Sequence, residues 1–124
     1  LSRLIGTPFA PDFSGAILVL EDVAEAPYRV DRMLAHLKHA GILAAVSGVV
    51  LGHFTEEKGE DNTPTLSLER VFDDYFAERP YPVANHLPYG HSLPRCTLPL
   101  GVPVRFTSRS NGAELTPLAP AVCT

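Results

Sequence analysis

From Ala16 to Leu34 the chain reads AILVLEDVAEAPYRVDRML, and this stretch decides the fold. Ala16 to Leu20 is apolar without alternation, the pattern of a strand covered on both faces. The run stops on Glu21 and Asp22. A short turn follows, and Pro27 then suits the first position of a helix, where a missing N–H costs nothing. Val30, Met33, Leu34 and Leu37 recur at helical spacing through Ala40, and Gly41 supplies the stop. A strand, a turn carrying acids and a helix make half of a βαβ unit. In open α/β sheets, groups just past the carboxyl ends of the strands are where ligands and catalytic residues gather.

The flanks extend the pattern. Upstream, Gly6-Thr7-Pro8 and Pro11 to Gly15 read as turns. Downstream, Val46 to Phe54 is a second buried strand, VSGVVLGHF, and Thr55 to Thr65 is a polar, acidic loop. Leu66 to Glu78 predicts a second amphipathic helix with Leu68, Val71, Phe72, Tyr75 and Phe76 on one side, capped by Thr65 or Ser67. Pro80 and Pro82 prevent its continuation. A third, short strand begins near Val83, in VANHLP. The order strand–helix–strand–helix–strand is the signature of parallel βαβ units. The last third differs: VRFTS, Arg109-Ser110-Asn111-Gly112 and AELTPL form a hairpin signal around Asn-Gly. The expected fold is therefore α/β, a small mixed sheet of βαβ units with a C-terminal antiparallel hairpin.

Composition sets the bounds. The 124 residues suit one domain with a real core, and 45% hydrophobic with 19% charged residues is ordinary for a globular chain. A net charge of −4 without a basic cluster leaves no nucleic-acid footprint. The longest low-polarity run, Gly41 to Gly52, is too short to span a membrane. Cys96 and Cys123 lie far apart in no motif, so a reduced, cytoplasmic setting is expected, with an envelope location for a longer parent left open. The chain opens on LSRLIGTPF without a methionine, and its true N-terminus is expected upstream.

Three sets of residues could carry chemistry. The first is Glu21 with Asp22, although a solvated strand end carries acids too. The second is Tyr89-Gly90-His91-Ser92, after the third strand. Parallel strands share one carboxyl edge, so Glu21 and His91 can meet there. A carboxylate bonded to one imidazole nitrogen leaves the other as a base. A loop histidine bonded to backbone would give the same local sequence. The third set is histidines: His36 and His39 on the first helix, His53 and His86 elsewhere. Neither HExxH nor CxxC spacing supports zinc, and no metal is expected. A nucleophile is missing, since there is no GxSxG and Ser92 lacks a strand–turn–helix setting.

Taken in order, GTPFAPDFSGAILVLEDVAEAPYRVDRML, SGVVLGHF and PYGHSLPRCTLPLGVPVRF resemble the C-terminal domain of the LD-carboxypeptidase family of serine peptidases. The resemblance covers nearly the whole chain, residues 1–124, and implies a fold like a swivelling β/β/α domain. It implies a Ser–Glu–His triad in which this domain supplies Glu21 and His91, while the serine sits in an N-terminal domain absent here. Glu25 is the alternative acid. The implied reaction removes a terminal D-amino acid from a murein tetrapeptide during cell-wall recycling, with neither metal nor organic cofactor. The implied partners are that substrate, the serine-bearing domain and a second copy in a homodimer. A fragment without the serine is expected to be inactive. Arg29, Arg32 and Arg95 are the open choices for gripping the substrate carboxylate. Two rival readings remain: a microcin-immunity peptidase acting on an aminoacyl-nucleotide-like toxin, and a non-catalytic binding or assembly module.

Overall fold

A computed structural model describes residues 1–56, 66–109 and 112–120. Strands β1 (Ile17–Asp22), β2 (Gly48–Phe54) and β3 (Val83–Ala84) form a parallel sheet in the order β1-β2-β3. Helix α1 (Pro27–His39) and the short α2 (Ile42–Ala45) lead from β1 to β2, and α3 (Leu68–Phe76) precedes β3. β4 (Val104–Arg109) and β5 (Gly112–Pro117) pair antiparallel from Val104↔Pro117 to Arg109↔Gly112.

Local chemistry explains the boundaries. Pro27 opens α1 with its backbone already near helical φ. Gly41, at φ 78°, ends α1 in the left-handed region and turns the chain into α2. Ser67 caps α3, its Oγ accepting the Arg70 N–H at 3.2 Å.

Each helix buries one stripe. Val30, Leu34 and Leu37 from α1 and Leu68, Val71, Phe72 and Phe76 from α3 join Val49 and Leu51 of β2 in one apolar cluster. Phe54 meets Phe72 edge-on at 5.0 Å between ring centroids. The hairpin approaches elsewhere on the sheet, at Gly48. There the Phe106 ring lies so close that a Cβ on residue 48 would stand 2.7 Å from its Cδ1. Ile17 Cδ1 closes the same spot at 3.0 Å. Mixed α/β architecture with a parallel sheet and an appended hairpin is thus what the pattern of apolar runs predicts.

Four details differ from the sequence expectation. β1 is an edge strand, and Leu18 is its one buried residue; β2 is the central strand, buried from Gly48 to Gly52. An apolar run reports burial but not strand order, which the crossovers set. β1 also continues through Glu21 and Asp22, so the acids are its last two residues rather than lying beyond it. β2 starts at Gly48 because Ile42 to Ala45 coil into α2, too short to leave a periodicity. β3 ends after Ala84, where Asn85 Oδ1 accepts the His86 N–H at 2.8 Å and His86 takes φ 62°. The loop expected from Thr55 to Thr65 falls outside the described residues from 57 onward, as do Ser110 and Asn111 of the hairpin turn.

Candidate active site

The carboxyl edge of the sheet is built by two strands and a loop. β1 carries Glu21 there as its penultimate residue. The register beside it is irregular: Leu20 pairs with Leu51 and Asp22 with Phe54, so Gly52 and His53 together stand opposite Glu21 alone. Such a bulge bends and re-aims a strand end. Beyond β3 the chain stays alongside β2. The Leu87 N–H donates to the Leu51 carbonyl at 3.0 Å, and the His53 N–H donates to the Tyr89 carbonyl at 2.9 Å. The Cys96 N–H returns to the Pro88 carbonyl at 2.6 Å, closing the base of the loop that presents His91.

This scaffold brings Glu21 and His91 together across 70 positions: His91 Nδ1 lies 2.9 Å from Glu21 Oε2. The carboxylate can only accept, so Nδ1 carries the proton and donates it. Nε2 is then the nitrogen left to take a proton from another group. The two side chains sit differently, Glu21 24% exposed and His91 63% exposed. An imidazole backed by a sunken carboxylate and open to an incoming group can serve as the acid–base half of a nucleophilic site.

The alternative acid has other company. Glu25 Oε2 lies 3.2 Å from Arg29 Nη1, and Arg29 Nε donates to the Tyr28 hydroxyl at 3.1 Å. The turn that carries Glu25 is pinned to the end of β2: Thr55 Oγ1 accepts the Ala24 N–H at 2.9 Å, and the Thr55 carbonyl accepts the Glu25 N–H at 3.1 Å. Glu21 therefore meets His91, while Glu25 is engaged with α1. Of the three arginines considered for substrate, Arg29 makes these contacts, and Arg32 and Arg95 are exposed.

His36 and His39 are exposed at the end of α1, and His86 is exposed after β3. Among the described residues no group of three or more His, Cys, Asp or Glu side chains is placed to hold a metal ion. Cys96 is a half-buried free thiol, and Cys123 lies outside the described residues. No helix among the described residues is long and apolar enough to cross a membrane. His53 is the residue that sequence reasoning undervalued. It stands in the bulge opposite Glu21, and its Nδ1 is buried without a hydrogen-bond partner among the described residues. The one signal for it was its place in Gly52-His53, a dipeptide that recurs as Gly90-His91.

With this geometry in place, comparison with known proteins is decisive. The family model for the LD-carboxypeptidase C-terminal domain matches residues 1–106. The chain belongs to the LD-carboxypeptidase family. The murein tetrapeptide carboxypeptidase of Pseudomonas aeruginosa is similar, 38% identical over 101 residues, covering 82% of this chain and 32% of that protein. The crystal structure of muramoyltetrapeptide carboxypeptidase from Oxalobacter formigenes superposes with a TM-score of 0.84 at 37% identity, over 96% of this chain and 42% of that one. The microcin C7 self-immunity protein MccF shares the fold, with a TM-score of 0.76 at 24% identity over 94% of this chain and 34% of its own. This LD-carboxypeptidase domain spans about a third of the length of the curated relatives it matches.

Proposed function

We propose that this domain supplies the acid and base of a serine-type LD-carboxypeptidase acting on murein tetrapeptides. Glu21 and His91 are the proposed catalytic residues. The serine is proposed to come from a second domain of the parent protein, and the work to be cell-wall recycling in the cytoplasm. The observation that carries the reading is the 2.9 Å contact between Glu21 Oε2 and His91 Nδ1 at the carboxyl edge of a parallel sheet. The names of the similar carboxypeptidases supply the substrate class.

The chemistry follows from that contact. His91 Nε2 takes the proton of the serine hydroxyl as its oxygen attacks the amide carbon next to the terminal D-residue. Glu21 holds the proton on Nδ1 and stabilises the imidazolium that forms. The imidazolium then gives its proton to the departing amine as the C–N bond breaks. Water, deprotonated by the same imidazole, attacks the acyl-serine and frees the shortened peptide and the serine.

The test measures D-alanine released from a murein tetrapeptide, first by this chain alone and then by the chain produced with its upstream coding region. Release only with the upstream region is expected. Release by the chain alone would place a nucleophile within these 124 residues and overturn the division of labour. No release in either case, with turnover of an aminoacyl-sulfamoyl nucleoside instead, would overturn the substrate in favour of the immunity-type reaction. No turnover of either would leave a binding module.

A further inference from the structure

We propose that Gly52 and Gly90 are positioning residues for the Glu21–His91 pair, the two walls of a slot that seats the Glu21 carboxylate; this rests on the proposed roles of that pair. Gly90 is the nearer wall. A Cβ built on it would stand 2.7 Å from Glu21 Oε2, closer than real Cβ contacts come, and 3.4 Å from both Cβ and Cδ of Glu21. Oε2 is the oxygen that meets His91. A side chain at residue 90 would therefore displace the one atom on which the imidazole depends. Its neighbour in the chain is His91 itself, so a single dipeptide carries both the base and the space for its acid.

Gly52 is the second wall, in the bulge opposite Glu21. A Cβ there would stand 3.2 Å from Glu21 Cβ, 3.4 Å from the Leu20 carbonyl and 2.7 Å from the Tyr89 carbonyl. The Tyr89 oxygen accepts the His53 N–H and so ties the His91 loop to β2. Gly52 thus lets three backbones converge, and the stem of Glu21 rests among them. The two positions differ in a useful way. Gly90 has φ +122°, a region that L side chains rarely adopt, whereas Gly52 lies outside that region, so its need for glycine is steric alone.

The experiment reads the tautomer of His91 by 15N NMR in the 124-residue chain, at about pH 9, above the ordinary histidine range. In the wild-type chain the proton sits on Nδ1. In Gly90→Ala and in Gly52→Ala the Nδ1–H signature is lost, and the ring matches that of Glu21→Ala. Gly101→Ala serves as control, since Gly101 has φ +71° with nothing within 4 Å of its missing Cβ, and it keeps the signature. Should a glycine variant be too unstable for spectra, the folding cost of Gly90→Ala is measured in both wild-type and Glu21→Ala backgrounds. The cost falls by about tenfold in the folding equilibrium constant when the glutamate is gone, because the three atoms nearest that Cβ outside its own chain neighbours all belong to Glu21. A folded Gly90→Ala with an intact Nδ1–H, or an equal cost in both backgrounds, overturns the slot. A wild-type ring that already matches Glu21→Ala overturns the pair itself, and with it the proposed function.

Discussion

Glu21 and His91 touch at 2.9 Å, yet the acid is 24% exposed and the base 63%. The acid is held by the sheet and the base faces outward, so the two respond differently to substitution.

In a parent protein that carries the serine, His91→Ala lowers kcat/KM for the tetrapeptide by about a thousandfold or more, and Glu21→Gln by about a hundredfold or more. The exposed His91 leaves the unfolding midpoint near wild type. Near-normal turnover in His91→Ala would remove it from the mechanism.

Leu51, on the central strand, is 1% exposed. Leu51→Ala removes methyl groups from the centre of the apolar cluster and leaves a cavity, costing about 3 kcal/mol in denaturant titration. A loss below about 1 kcal/mol would mean that β2 is not the centre of the core.

The Tyr75 hydroxyl ties α3 to α1, lying 2.9 Å from Asp31 Oδ1 and 3.1 Å from the Asp31 carbonyl. Burial, reinforced by the bond to Asp31, pushes the phenol from 10.0 up to about 12. The fold thus keeps the phenol proton after the unfolded chain would release it. The stabilisation is present below pH about 10 and is lost as pH rises from about 10 to 12. Denaturation midpoints on either side of pH about 10 should show a steeper alkaline fall in wild type than in Tyr75→Phe. Equal slopes would refute it.

The Ser67 cap on α3 satisfies one of the helix's unpaired N–H groups. Ser67→Ala costs about 1 kcal/mol, whereas Ser67→Asp retains most of the stability. Identical midpoints for the wild-type chain and Ser67→Ala would show the cap to be idle.

Helices α1 and α3 and the parallel order were legible because each leaves a local mark, whereas the four-residue α2 leaves none. Pro27 and Gly41 bracket α1, Ser67 caps α3, and apolar residues at helical spacing face the core in both. Strand rank was not legible, since Ala16–Leu20 and Val46–Phe54 both read as buried strands and only the crossovers decide which is central. The juxtaposition of Glu21 and His91 could be read from the shared carboxyl edge. The bulge could not, because it depends on a register between strands about thirty residues apart, where sequence offers only an isolated glycine.

Phe106 resting in the space above Gly48 has a consequence for how such domains diverge. Two positions 58 apart, 106 − 48, share one volume, so they are not free to vary singly. A chain that acquires a methyl at 48 must shrink the ring at 106 or lose the seat of its hairpin. The outward positions of β4 and β5 carry no such constraint and can drift.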